Sequence, residues 1–415
     1  MQQVIKNIRD IPSSTTLSTL LQGFFVVLIG YTGPLLVIIQ AGKAGGLTDP
    51  QISSWVWGAV VGNGVLGVMM SLLFRVPLAA PYSTAGAALL GVSMMNFPFQ
   101  EVIGAYIVMG LAVALLGFSG WFGRIVQLIP QPVAMGMLAG VLLRFGLDLF
   151  KGLPVSPIVI VGMIVIFYVL KRVGFKVPML GALVLGVALS LLLGEFRFQP
   201  VDLSLTQPIL EMPVFSLNAI LTLSLPLFVV ALSSQYIPGQ AILKFYGYDN
   251  APIDKILMFT GIGSALVAFV GAHGMTLSAY TAAFIVSPEA HPDKEKRYVA
   301  GVYAGLWHVS TGLFGATIVA LFSAFPAALV AGISGLALLS TIQSSLHGAI
   351  ENAESRDAAL VAFLCTAANF TLFGIGAPFW GLLMGMVVYA ILRWWKPIPQ
   401  EQRLPEIPET QKATS

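Results

Sequence analysis

Two clusters of hydroxyl-bearing side chains, about half a chain apart, carry the chemistry most legible in this 415-residue sequence. Tyr82-Ser83-Thr84 closes the stretch Val76–Pro81, and Thr276, Ser278 and Tyr280 follow Gly271-Ala272-His273-Gly274. Each cluster ends a run rich in Pro, Gly and β-formers. Each then opens a small-residue apolar segment, through Ala85-Gly86-Ala87-Ala88-Leu89 and through Ala282-Ala283-Phe284. These segments fall short of the roughly 20 residues a helix needs to cross a bilayer. A helix starting at such a cluster presents unpaired N–H groups, which suit an anion. Gln235 adds an amide donor within an apolar segment, and His273 a side chain that titrates near neutrality. The candidate substrate-binding residues are therefore Tyr82, Ser83, Thr84, Gln235, His273, Thr276 and Ser278, with His273 the candidate proton carrier.

Plainer roles compete for the same residues. Ser and Thr cap helices everywhere, polar side chains join helices inside membranes, and a buried histidine can simply bond to backbone. Within lipid, however, a helix N-terminus needs partners that the hydrocarbon cannot supply. Asn63, Asn369, His308 and His347 read as structural, and Glu101 and Asp148 as solvated ends. His273 has no His, Cys or acidic neighbour at ligand spacing, so no metal site is expected. The single Cys365 excludes an internal disulfide. No glycine-rich tract sits in a phosphate-loop context, and the mixed-charge Glu289–Arg297 connector is not a nucleic-acid patch. No cofactor is expected.

The elements that must hold these residues are membrane helices. Apolar residues make up 57% and charged residues 9% of the chain, against roughly 25% charged in soluble domains. The first apolar run lacks a cleavage-like exit and reads as a true span. Hydropathy and breakers place fourteen segments, near 17–40, 55–73, 78–94, 101–119, 123–142, 156–170, 178–193, 217–236, 256–271, 275–288, 298–321, 326–343, 358–374 and 379–395. With a cytoplasmic N-terminus, all of the 21 basic residues except Lys43, Arg144, Lys151 and Arg197 fall inside. That bias places both termini on the cytoplasmic side of the membrane.

Seven segments per half make any repeat inverted. Ser83 matches Ser278, Pro98-x-x-Glu101 matches Pro292-x-x-Glu295, and Pro130 and Gly136 match Pro326 and Gly332, all at nearly one offset. The expected division is a first repeat (1–193), an extracytoplasmic linker (194–213), a second repeat (214–396) and a cytoplasmic tail (397–415). Matched interrupted spans in two halves mark the substrate site of a secondary transporter.

The chain resembles the benzoate:proton symporter (BenE) family. The resemblance covers nearly the whole length and rests on Tyr82–Ala88, Ser234-Gln235-Tyr236-Ile237-Pro238-Gly239 and Gly271–Gly274. It also rests on Ala290-His291-Pro292-Asp293 with Arg297-Tyr298, and on Gly374–Gly381. It implies an all-α fold shared with nucleobase permeases, in which spans 1–4 and 8–11 form a core moving against a gate of spans 5–7 and 12–14. It implies short strands before the half-helices of spans 3 and 10, and leaves a homodimer open. Where the nucleobase relatives carry an acid and, four residues on, a His, this chain has Gln235 and Gly239; an amide, unlike a carboxylate, can donate to an anion without repelling it. Thr276 stands where the resemblance would place Asn. The function so implied is proton-coupled import of benzoate or a related small aromatic carboxylate by alternating access, rather than enzymatic chemistry. The alternative on the same fold is a permease for a nucleobase or other small organic solute.

Overall fold

The computed structural model describes residues 2–128, 130–195, 203–373 and 375–394, without the side chains of 126–128, 279–281 and 394. The expected tail at 397–415, Arg197 and the Tyr280 side chain lie outside the described residues. The protein is predominantly helical. Among the described residues, six helical stretches are long and apolar enough to cross a membrane: Leu17–Ala44, Asp49–Phe74, Phe99–Ser119, Gln131–Lys151, Leu217–Phe245 and Ala327–Ile350. Lys294–Gly312 and Gly315–Ser323, bent by 68°, make a seventh when counted together. The other expected segments are shorter helices, such as Pro157–Arg172, Pro178–Leu192, Ile253–Ala268 and Arg356–Ala367.

Local sequence explains where several boundaries differ from the hydropathy reading. The segment expected at 123–142 falls on two helices, Phe122–Leu128 and Gln131–Lys151, and Pro132 sits in the first turn of the second because proline starts a helix and is not tolerated inside one. The segment expected at 358–374 stops at Ala367; Thr371–Leu372 then pairs antiparallel with Ile375–Gly376. Leu217–Phe245 contains two π-helical turns, Ile220–Ser224 and Leu232–Tyr236. Pro226 and Pro238 follow them, and each proline lacks the N–H that the carbonyl four residues earlier would use. Within the second turn, Ser233 and Ser234 donate their hydroxyls to the carbonyls of Val229 and Val230, both at 2.7 Å.

Small residues set the helix contacts, as expected where lipid offers no hydrophobic drive to association. Asp49–Phe74 packs on Tyr298–Gly312, and Phe99–Ser119 on Ile253–Ala268. A Cβ on Gly64 would meet the Gly305 carbonyl oxygen at 2.6 Å, and one on Gly305 would meet that of Gly64 at 2.6 Å. Gln131–Lys151 lies against Ala327–Ile350 and Arg356–Ala367.

At one end of the molecule Arg75, in the left-handed region at φ 54°, terminates the Asp49–Phe74 helix. Its guanidinium donates to Asn7 Oδ1 at 2.7 Å and Asp10 Oδ2 at 3.0 Å, and lies over the Tyr298 ring. Tyr298 in turn donates to the Asn7 carbonyl at 2.7 Å, so this cluster fixes the N-terminal helix Gln2–Arg9.

Candidate functional site

Residues 76–83 are extended, and the helix Thr84–Ser93 starts deep inside the molecule. Residues 272–278 are non-helical and lead into the helix Ala279–Val286. The two extended stretches run antiparallel and meet at one bridge, Tyr82 with Met275. Thr276 N–H donates to the Pro81 carbonyl at 2.9 Å, and Ser83 N–H to that of Gly274 at 3.4 Å. The contact is a single bridged pair; Pro77 and Pro81 have no N–H with which to extend it.

The structure divides the expected cluster, and alternation of side chains along extended backbone separates Ser83 from Tyr82 and Thr84. Tyr82, Thr84, Gln235 and Ser278 border a cavity of about 520 Å³. Ser83, His273 and Thr276 are buried behind its wall. Ser83 Oγ accepts from Gly86 N–H at 2.9 Å and so caps the Thr84–Ser93 helix. Thr276 Oγ1 donates to the Pro81 carbonyl at 3.1 Å.

His273 is fully buried, and both ring nitrogens are engaged. The Trp55 indole N–H, which can only donate, reaches Nδ1 at 3.0 Å; the Ser83 carbonyl, which can only accept, lies 2.8 Å from Nε2. These partners define the neutral tautomer with its proton on Nε2. A second proton, on Nδ1, would face the indole N–H. His273 therefore links one extended stretch to the start of the other helix, a positioning geometry rather than the cavity contact expected from sequence.

The cavity combines a polar cluster with apolar walls that include Val26, Ile29, Leu138, Phe167, Met179 and Leu336. The N–H groups of Thr84 and Ala85 have no acceptor among the described residues, and neither does the Thr84 hydroxyl. Asn63 is 1% exposed; its Oδ1 accepts from Ala80 N–H at 2.9 Å, while Nδ2 is unpartnered and Asn63 borders the cavity. Gln235 borders it from the second π-helical turn, its amide only weakly engaged with Ser234 Oγ at 3.4 Å. π-Turns of this kind recur at functional sites. Tyr82 donates to the Gly30 carbonyl at 3.1 Å.

Asn63 and His308 both border the cavity, yet both read as structural from sequence. Each sits mid-helix in an apolar run with no motif around it. The usable signal was physical, since an unpaired polar side chain inside a membrane protein is costly and marks function.

Removing the Ser83 cap should lower stability by about 1 kcal/mol, the usual worth of a helix N-cap. Ser83→Ala is thus expected to melt a few degrees lower in detergent and to transport with a modestly raised KM. An unchanged melting temperature would show that the capping bond contributes little.

Buried helices joined by short extended stretches around an interior polar cavity define a membrane-transporter fold. Solved structures agree in fold. The transmembrane domain of a cyanobacterium bicarbonate transporter, BicA, aligns with a TM-score of 0.58 at 17% identity, over 91% of this chain and 96% of that one. The murine Solute Carrier 26 family member A9 anion transporter, in its inward-facing state, aligns at 0.56 with 13% identity, over 93% of this chain and 70% of that one. The chain belongs to the BenE family, described as benzoate membrane transport protein, whose profile matches residues 13–391. It is 36% identical to the benzoate membrane transport protein of Acinetobacter baylyi, over 93% of this chain and 98% of that protein. It is 39% identical to the inner membrane protein YdcO of Escherichia coli, over 90% and 95%. The protein is thus a multi-pass membrane transporter and not an enzyme.

Proposed function

We propose that this protein imports benzoate or a closely related small aromatic carboxylate together with protons, by alternating access. The observation that carries the reading is the cavity itself. The unpaired N–H groups of Thr84 and Ala85, the Thr84 hydroxyl and the orphan Asn63 amide are donors without acceptors, beside walls suited to an aromatic ring. Gln235 and Ser278 complete the polar side, and Tyr82 offers a ring for stacking. His273, Ser83 and Thr276 hold the two helix starts in register. The acid that borders the cavity, Glu351, is exposed at its rim.

The architecture supporting this reading is a seven-plus-seven inverted repeat with interrupted third and tenth spans. Its pseudo-twofold relation exchanges the pair Asp49–Phe74 and Tyr298–Gly312 with the pair Ile253–Ala268 and Phe99–Ser119, and both pairs pack closely. Spans 1–4 and 8–11 then form the core, and spans 5–7 and 12–14 the gate. With both termini cytoplasmic, as the basic-residue bias indicates, Gln131, His347 and Glu351 put the cavity mouth on the cytoplasmic side. The opposite, outer side carries Arg144, Asp148 and Lys151 around two smaller hollows. The conformation is therefore inward-facing, and rocking of the gate would open the outer side.

The test is radiolabelled benzoate uptake into proteoliposomes, with and without an inward proton gradient at matched membrane potential. Gradient-driven accumulation is expected. Uptake of a nucleobase in vesicles that ignore benzoate would overturn the substrate.

A further inference from the structure

We infer that His308, rather than His273, is the side chain that takes up the co-transported proton, and that it does so beside the bound carboxylate. This inference rests on the proposed proton-coupled carriage of an aromatic carboxylate and assigns the coupling residue within it.

His308 lies on Tyr298–Gly312, 3% exposed, and borders the cavity. Its Nδ1 is 2.7 Å from the Ala304 carbonyl one turn earlier. A carbonyl only accepts, so Nδ1 carries the hydrogen and Nε2 holds a free lone pair. Nε2 has no partner among the described residues. It lies 4.0 Å from the position a Cβ on Gly30 would occupy, and the Tyr82 hydroxyl lies 3.4 Å from that same position. The lone pair thus opens on the wall shared with Tyr82.

His273 offers the opposite geometry. Protonating it means placing a hydrogen on Nδ1, against the Trp55 indole N–H that now occupies that lone pair. Protonating His308 disrupts no bond and turns a cavity-facing acceptor into a cationic donor. A carboxylate alone in the membrane interior is costly; an imidazolium at its side lets anion and proton cross without net charge. The proton comes from the medium onto Nε2 and leaves with the carboxylate on the other side.

The ionisable surroundings are sparse. Tyr31, on Leu17–Thr32, and Tyr82 are the neighbouring phenols. Asp49–Phe74, which packs against the His308 helix, has Asp49 in its first turn and no other ionisable side chain. From Ala279–Val286 comes Tyr280, whose side chain is not described. The His308 helix itself adds Tyr298 and Tyr303. His347 and Glu351, on and just after Ala327–Ile350, border the cavity but are exposed.

Linkage supplies the test, because a proton that tightens carboxylate binding is itself held more tightly by the same factor. Benzoate affinity of the purified protein, followed calorimetrically from pH 5 to 9 in buffers of different ionisation enthalpy, should weaken towards tenfold per pH unit above the titration of the free protein. Proton uptake should approach one per benzoate bound. In His308→Gln the pH slope and the proton uptake should vanish. In proteoliposomes its ratio of gradient-driven accumulation to counterflow should fall at least tenfold. His347→Gln and Glu351→Gln should keep the pH slope. If His308→Gln does not fold, His308→Asn, whose amide can still donate to the Ala304 carbonyl, carries the same test. A folded His308 variant that keeps both the slope and gradient-driven accumulation overturns the assignment, as does loss of coupling in His347→Gln or Glu351→Gln alone. Wild-type protein that binds and carries benzoate with no proton uptake overturns the symport reading itself, a separable result.

Discussion

Replacing Asn63 by Asp should raise the benzoate KM at least ~100-fold while the protein still folds. Asn63 holds two positions at once: Oδ1 anchors the extended stretch through Ala80 N–H at 2.9 Å, and Nδ2 is a buried donor with no partner among the described residues. Aspartate keeps the first bond and removes the second. A hydrogen bond to a charged group is worth about 1.5–3 kcal/mol, which corresponds to roughly ten- to a hundredfold in affinity. Like-charge repulsion in a cavity of low effective dielectric adds to that loss. The measurement is initial-rate uptake in proteoliposomes alongside a melting curve in detergent. Wild-type KM in the folded variant would remove Asn63 from the site. Restored transport of an uncharged aromatic amide in the same variant would strengthen the view that the lost partner is the carboxylate.

The largest expected effect on stability comes from Gly261. A Cβ there would lie 2.3 Å from Ala114 N and 2.7 Å from the Gly110 carbonyl oxygen. Both contacts are backbone, on the helix Phe99–Ser119, so no side chain can turn aside. Its neighbours on the facing helix are equally close, since a Cβ on Gly117 would meet the Asp254 carbonyl oxygen and the Met258 nitrogen, each at 2.4 Å. Gly261→Val must push the two helices apart. Overpacking costs about 1–3 kcal/mol when side chains can yield, and more when they cannot. Against a total stability of about 5–15 kcal/mol, the variant should give little folded protein and a melting point far below wild type. Size-exclusion profiles and thermal melts in detergent read this directly. A monodisperse variant with an unchanged melting point would mean that this helix contact does not hold the fold together.

The same contact shows what could be read without coordinates. Small residues in apolar runs announced close helix packing, but not which helices pair. Gly261 is far in sequence from Gly110 and Gly117, which share one helix, so their facing positions are a tertiary fact. The clusters at Tyr82–Thr84 and Thr276–Ser278 were equally legible, because Ser and Thr at the junction of an extended run and a short helix are chemically distinctive. Their roles were not. Alternation along extended backbone sends Tyr82 and Thr84 to the cavity and Ser83 behind it, and that division depends on which face the neighbouring helices cover. His273 drew attention as an isolated titratable group in a broken segment, whereas Trp55 and the Ser83 carbonyl, remote in sequence, occupy both its nitrogens. Asn63 and His308 carried no motif at all.

By itself the sequence determined that this chain is a multi-pass membrane protein of the BenE family, with two hydroxyl-bearing clusters set in apolar surroundings. Composition, hydropathy and motif order are properties of the chain alone. Only the tertiary structure decided which polar atoms are left without partners. A hydrogen-bond donor counts as free only when every group packed around it is known, and in this protein those groups come from both halves of the chain.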